Sequence, residues 1–408
     1  MTAPLNGVRV LDLSRVLAGP FASQTLADLG AEVIKIERPG TGDDTRQWGP
    51  PYARDATGQE TQESAYFLAA NRGKQSVCID MATSDGQRFI SELADQSDVV
   101  IENFKVGQLA RYHLDAATLC ARSPRLIYCS ITGFGQTGPY CELPGYDFLI
   151  QGLGGLMSIT GHTDDAPGNG PVKTGVAIAD LFSGQYATIA ILAALNKRAA
   201  TGRGDIIDIS LLDCQVAMLA NQAMNYLTTG LPPQRLGNAH PNIVPYQAFA
   251  TMDGHIILAI GNDTQFSALC DVIQRADLAR DPRYATNPQR VENRAALISE
   301  IEKILLSRTA SDWLASFTKA NVPAGSINTL DAVFADPQVK FRGLELSLPH
   351  ATAGHVPSVA NPIRFADQSS VSPPAPPTLG QHTDAVLSER LGLSPERLKN
   401  LRTNGVIA

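Results

Sequence analysis

The opening of this chain restricts its fold more than any other segment. Residues 7–13, Gly-Val-Arg-Val-Leu-Asp-Leu, read as a short buried strand, and residues 14–20 as a turn. Residues 21–29 form a helix with apolar positions at Phe21, Leu26 and Leu29, closed by Gly30, and residues 31–37 form a second apolar strand. Strand, helix, strand at this spacing makes the two strands parallel, joined by a right-handed crossover. The pattern recurs as a strand at 76–80, a helix at 84–96, strands at 98–103 and 126–132, and another strand at 205–212. The expected class is α/β, a doubly wound, Rossmann-like large domain with a parallel sheet.

The character changes near Leu231, where Pro232, Pro233, Gly237, Pro241 and Pro245 punctuate the chain. Two short strands turning at Met252-Asp253-Gly254 and helices at 263–275, 293–306 and 311–320 follow. Residues 231–328 are therefore read as a smaller α+β domain, with residues 1–230 as the first part of the large domain. Residues 329–408 return to complete it. They hold a strand near 356–364, a proline-rich connector at 372–377 and one short terminal helix.

Charge and cysteine usage narrow the function classes. The formal charge of −7 is spread along the chain without a basic stripe, which argues against nucleic acid as a partner. The longest weakly polar stretch, 186–195, is too short for a bilayer, and neither end carries a targeting or lipidation motif. A soluble, cytoplasmic protein with no membrane partner is expected. Cys78, Cys120, Cys129, Cys141, Cys214 and Cys270 are scattered, without zinc spacing, so no metal site and no thiol nucleophile is expected.

No P-loop, Gly-x-Ser-x-Gly elbow or His-Glu-x-x-His motif is present. Gly133-Phe134-Gly135-Gln136-Thr137-Gly138 is a weak dinucleotide string, since Pro139 makes a poor helix start, but the loop can bring backbone close to a phosphate or thioester. Glu37-Arg38, Asn71-Arg72-Gly73-Lys74, Asn103-Phe104-Lys105 and Arg111 suggest cations gathered at strand ends, where a polyphosphate would sit. Taken singly, each is an ordinary solvated surface charge. Asp180 stands alone among small and apolar residues just before a long apolar run. It reads either as a helix N-cap or as a nucleophile held ionised at a helix start.

The segments 10–20, 29–39 and 42–46, together with Asn71-Arg72-Gly73-Lys74, Glu102-Asn103-Phe104, Gly145-Tyr146-Asp147, Thr201-Gly202-Arg203-Gly204 and Leu379-Gly380-Gln381-His382-Thr383, resemble the class III CoA-transferases, the formyl-CoA and carnitine CoA-transferase family. The likeness spans essentially the whole chain. It implies an interlocked homodimer, with the large domain and its sheet built from both chain ends. It implies acyl-CoA and a small carboxylic acid as substrates, with no permanently bound cofactor. The family's nucleophile falls on Asp180, and its CoA contacts fall on Leu17, Ala18, Arg38, Asn71, Lys74, Asn103, Phe104, Arg111, Gly133, Phe134 and Gly135. Leu17 stands where the formyl-CoA enzymes have glutamine, and residues 235–241 replace their glycine-rich loop, which argues against oxalate chemistry of that type.

The same fold hosts 2-methylacyl-CoA racemases, which have histidine where this chain has Tyr146. A phenol is a poor acid/base partner near neutral pH, which argues against racemisation. Residues 46–51 and 237–249 look most like the branch of the family that uses succinyl-CoA and glutarate. Malate, itaconate and carnitine-type acids are alternative acceptors. Arg15, Arg46 and His240 are the candidates for the acceptor's distal carboxylate, with arginine preferred for its fork. Each also has a structural alternative: Arg46 could pair with Asp43 or Asp44, and His240 could serve as a loop hydrogen-bonder. A non-catalytic CoA-binding protein is the third reading, and an intact Asp180 counts against it.

Overall fold

The computed structural model describes residues 3–366 and 373–408. The opening runs form β1 (Arg9–Asp12), α1 (Ala18–Asp28) and β2 (Glu32–Glu37), with β3 (Lys74–Cys78), β4 (Val99–Glu102), β5 (Ile127–Thr132) and β6 (Asp205–Ser210) completing a six-stranded sheet. All its pairings are parallel, in the order β3-β2-β1-β4-β5-β6. Strand order reverses between β1 and β4, and the carboxyl ends on either side of such a reversal open a crevice suited to ligands.

The continuous apolar strands are explained by burial on both faces. Leu11, Ile34, Ile36, Val100 and Tyr128 enter one core with α2 (Ser84–Asp95). Val10, Val33, Val99, Ile101, Ile127 and Cys129 enter the other, with α1 and α4 (Ile178–Thr201). The two sets alternate along each strand, as the pleat requires. α1 and α4 approach closely through small residues: a side chain at Gly184 would lie 2.7 Å from the Ala18 carbonyl oxygen.

The sheet differs from expectation in one respect. All six strands come from residues 9–210, and the carboxyl-terminal segment adds helices rather than a strand. α5 (Thr383–Leu391) and α6 (Pro395–Thr403), two helices where one was expected, place Val386, Leu387, Leu398 and Leu401 in the first core. The strand expected near 356–364 is the Gly354–Val359 arm of an antiparallel hairpin with Glu345–His350. The proline-rich tract begins at Ser372, outside the described residues, as do residues 367–371.

The chain divides into two compact units. The first comprises Met1–Leu156, Thr174–Met224 and Gln338–Ala408; the second comprises Met157–Lys173 and Asn225–Pro337. Residues 157–173, read from sequence as part of the large domain, group with the second unit. That unit carries a three-stranded antiparallel sheet and helices around Phe249, Leu258, Leu297, Trp313 and Phe317.

Helix α4 has 24 residues and contains an 18-residue stretch of mean hydropathy 1.5, long and apolar enough to cross a membrane by length and composition. The apolar stretch 186–195, read from sequence as too short, is the middle of this longer helix. Part of its surface is committed to the protein core through Ala179, Ala187 and Ile191.

Candidate active site

The site grows from the crevice between β1 and β4. After β1 the chain turns through Ser14, Arg15, Val16 and Leu17 before α1 begins. Val16 has φ 69°. A β-branched residue in the left-handed region costs about 1–3 kcal/mol and persists only where its surroundings fix it. The Asp43 carboxylate accepts from the Val16 amide (3.2 and 3.3 Å). The Asn103 side chain, just past β4, accepts from the Arg15 amide (2.8 Å) and donates to the Arg15 carbonyl (2.6 Å). The two strand ends are thus tied together across the reversal.

Paired buried charges lie beneath this turn. Lys74 Nζ donates to Asp12 (3.1 Å), to the Pro20 carbonyl (2.9 Å) and to Asn71 Oδ1 (2.8 Å). Ser14 and Ser23 hydroxyls also donate to Asp12. Burial alone would raise the Asp12 carboxyl, but Lys74, Lys35 and the two serines outweigh it and hold it at about 2. Burial pulls Lys74 down to about 8 against the attraction of Asp12. Lys35 pairs with Asp43 (2.9 Å) and donates to the Ser14 carbonyl (2.8 Å).

Two cavities open above the turn. One is lined by Arg38, Glu37, Asp43, Ile79, Met81 and Tyr112 among others. The other is lined by Leu17, Ala18, Asn103, Gly133, Tyr146 and Asp180 among others. They share Arg15, Phe104 and Gln108, so they adjoin as one groove running from Arg38 to Asp180.

Asp180 lies in the first turn of α4 and is not its cap. Ala177 occupies the cap position without a capping side chain. Asp147, at the start of α3 (Asp147–Leu153), caps the helix from outside, accepting from the amides of Ala179 (2.8 Å) and Asp180 (3.4 Å). Glycine makes this possible: a side chain on Gly133 or Gly145 would strike the other's Cα at 2.5 or 2.2 Å. Gln151 donates to the other Asp147 oxygen (2.7 Å) and accepts from the Thr174 amide (2.9 Å), tethering the segment that leads into α4. Burial, followed by the like charge of Asp147, pushes the Asp180 carboxyl up to about 7. The half-buried Tyr66 phenol is raised by burial and then by Asp180 and Asp147.

The groove brings together Asp180, Leu17, Ala18, Arg38, Asn103, Phe104, Gly133 and Arg15. Phe134 and Gly135 adjoin Gly133 without lining either cavity; Phe134 packs edge-on against Tyr140. Asn71 and Lys74 sit at the start of β3, not at a strand's carboxyl end, and their side chains are buried against Asp12 and the start of α1. Arg72, beside them, pairs with Asp28. Arg111 is exposed on the short turn Leu109–Tyr112, outside both cavities.

The three candidates for the acceptor's carboxylate have different surroundings. Arg46 is buried with its fork on Glu37 (two contacts of 2.7 Å), its guanidinium carbon 3.6 Å from the centre of the Phe67 ring and its remaining terminal nitrogen 3.6 Å from Glu63. Its pairing is with Glu37, rather than with Asp43 or Asp44. His240 belongs to the second unit, where it accepts from the Asn242 amide (3.1 Å) and its carbonyl accepts from Arg294 (2.8 Å). Arg15 remains. One of its terminal nitrogens donates to Asp44 (2.9 Å), its guanidinium carbon lies 5.2 Å from the centre of the Phe104 ring, and its buried Nε has no hydrogen-bond partner among the described residues. Sequence reasoning missed Asp147 as the helix cap, although its position just after Gly145 was a usable signal. It also missed Val16 and Gln108, for which no local signal exists.

Comparison with known proteins settles the family. The model of CoA-transferase family III matches residues 5–383. The chain belongs to CoA-transferase family III. The transferase is 49% identical over 386 residues to the succinate–glutarate CoA-transferase of Agrobacterium fabrum, covering 95% of each chain. It is 43% identical over 405 residues to the succinyl-CoA:glutarate CoA-transferase of Homo sapiens, covering 99% of this chain and 90% of that one. The crystal structure of a CAIB/BAIF family protein from Brucella suis superposes with a TM-score of 0.83 at 49% identity, over 96% of this chain and all of that one. The protein is thus a CoA-transferase enzyme, with CoA thioesters as its substrates.

Proposed function

We propose that this transferase moves CoA from succinyl-CoA to glutarate through a covalent intermediate on Asp180. The names of the relatives support the substrate pair. The observation that carries the mechanism is the placement of Asp180: a half-buried carboxylate that lines the groove and whose carboxyl is raised by burial and by the like charge of Asp147. A carboxylate raised to about 7 is a better nucleophile than an ordinary one once ionised.

The Asp180 carboxylate attacks the thioester carbonyl, giving a mixed anhydride and CoA thiolate. The thiolate attacks the aspartyl carbonyl, giving an aspartyl-CoA thioester and releasing succinate. Glutarate attacks that thioester, again giving an anhydride and thiolate. The thiolate then attacks the glutaryl carbonyl, releasing glutaryl-CoA and restoring Asp180. Water must stay out, because hydrolysis of any intermediate discards the thioester's free energy. The Gly133 backbone, which lines the cavity with Asp180, helps to stabilise the developing oxyanions. Arg15 receives the distal carboxylate of either acid, because its Nε is buried and lacks a hydrogen-bond partner among the described residues.

The enzyme works as an interlocked homodimer in the cytoplasm. An apolar stripe on α4, Phe182, Tyr186 and Ile189 at 39%, 40% and 60% exposure, is more than a monomer normally leaves to water. Phe148, Leu149 and Leu153 on α3 extend the exposed apolar surface. A second copy covers these faces. All six cysteines are unpaired, as in a reducing compartment. Offering succinyl-CoA with a panel of dicarboxylates and identifying the acyl-CoA products by mass spectrometry tests the substrate pair. Glutaryl-CoA as a minor product overturns it.

A further inference from the structure

Two carboxylates outside the chemistry above stand in one row of the sheet. Glu102, the last residue of β4, pairs in register with Ser130 on β5, and Ser130 pairs with Asp208 on β6. Residues in register on adjacent parallel strands face the same side, so carboxylate, hydroxyl and carboxylate line up near the sheet's carboxyl end. Each carboxylate holds a different loop. Glu102 accepts from the Phe104 amide (2.8 Å), and Asp208 accepts from the Gln136 amide (2.9 Å). Phe104 lines both cavities, and Gly133 of the second loop lines the one containing Asp180. Gly135, at φ 87°, brings that loop over Asp208, where an added side chain would lie 3.5 Å from the carboxylate. The buried Ser130 hydroxyl donates to Glu102 and links the row.

We propose that Glu102, Ser130 and Asp208 are positioning residues that set the spacing between the Phe104 and Gly133–Gln136 loops, and thereby the affinity for CoA, without touching the reacting atoms. The proposal rests on CoA occupying the groove. Burial pushes Glu102 up to about 7; hydrogen bonds from Ser130 and the Phe104 amide oppose that shift, and the charge of Asp208 adds to it. Tyr128 and Cys129 on β5 also feel the Glu102 charge, and both are pushed up mainly by burial, so they stay neutral. Asp208 is therefore the charged group facing Glu102. As pH rises through the Glu102 transition, its bond to the Phe104 amide becomes charge-assisted and shorter.

The test is calorimetric titration of the full-length protein with CoA itself, beside steady-state kinetics with succinyl-CoA. Glu102→Ala is expected to weaken CoA binding and raise the KM for acyl-CoA roughly tenfold, with kcat changed by no more than about twofold. Glu102→Gln keeps the acceptor for the Phe104 amide, so it recovers most of that loss. Asp208→Ala, at an exposed position that spares the core, raises the Kd by roughly threefold. Unchanged CoA affinity in Asp208→Ala and Glu102→Ala overturns the proposal and leaves the transferase reading standing. So does a fall in kcat at unchanged Kd, or a Glu102→Gln variant no better than Glu102→Ala. Failure with glutarate alone bears on the acceptor and not on this row.

Discussion

The buried charges beneath the β1–α1 turn and the carboxylates at the head of α4 follow opposite electrostatic plans. Under the turn, Asp12, Asp43 and Glu37 each have a lysine or arginine partner: Lys74, Lys35 and Arg46. At the head of α4, Asp180 faces Asp147, and the causes of its raised pKa include burial and a like charge but no cation. The first arrangement holds Asp12 at about 2, and the second lifts Asp180 to about 7. Both regions bury carboxylates, so burial does not distinguish a structural acid from a reactive one. The partner does: a neutralised charge fixes the turn, and an unneutralised one is left available for chemistry.

The largest expected effect breaks the reactive half. Asp180→Ala lowers turnover by roughly 10³-fold or more while CoA binding stays within about threefold, read by kinetics and calorimetry. Hydroxylamine trapping during turnover labels Asp180 in wild type, and labelling of any other carboxylate breaks the assignment. Breaking the structural half acts on stability instead. Lys74→Met takes from buried Asp12 its direct cationic partner, leaving only Lys35 and two hydroxyls to offset the charge, and destabilises by about 3 kcal/mol in denaturant titration.

Arg15 belongs with the unpaired region through its orphaned Nε. Arg15→Ala raises the KM for glutarate roughly tenfold and leaves a monocarboxylate of similar length unaffected. Equal losses for both acids would remove it from the carboxylate site.

A smaller effect sharpens the contrast by pH. Asp180 reacts only when ionised, so kcat/KM rises as pH rises through about 7. Asp147→Asn keeps a cap for α4 and removes the like charge, which moves that limb to lower pH.

The smallest effect is on stability, where the two aspartates have opposite signs. Asp12 is depressed, so its contribution is present above the ordinary value of 3.8 and is lost as pH falls toward 2. Asp180 is raised, so the favourable contribution of its protonated form is complete below 3.8 and is lost as pH rises through about 7. Asp180→Asn therefore matches wild type near pH 4 and melts roughly a few °C higher near pH 8. Asp12→Asn flattens the acid limb and, by taking the carboxylate from buried Lys74, also lowers stability at neutral pH.

The sequence exposed the parallel sheet because each strand's apolar run is written locally. It also exposed Asp180 as an unusual carboxylate, because its neighbours are small and apolar. It misjudged residues whose role depends on partners far along the chain. Arg46 reads as a free cation until its fork meets Glu37, and Lys74 reads as a surface charge until Asp12 lies beside it. Asp147 reads as a fragment of a motif until the Gly133–Gly145 contact brings it to the head of α4.

By itself, then, the sequence determined the β-α-β order, the parallel sheet and the residue types available at the reversal between β1 and β4. Those follow from periodicity and turn chemistry, which act over a few residues. Only the tertiary structure decided which charges are neutralised and which are left open. A charge's energy is set by what lies within a few ångströms of it in space, and at Asp180 that neighbour is a second carboxylate 33 residues earlier in the chain.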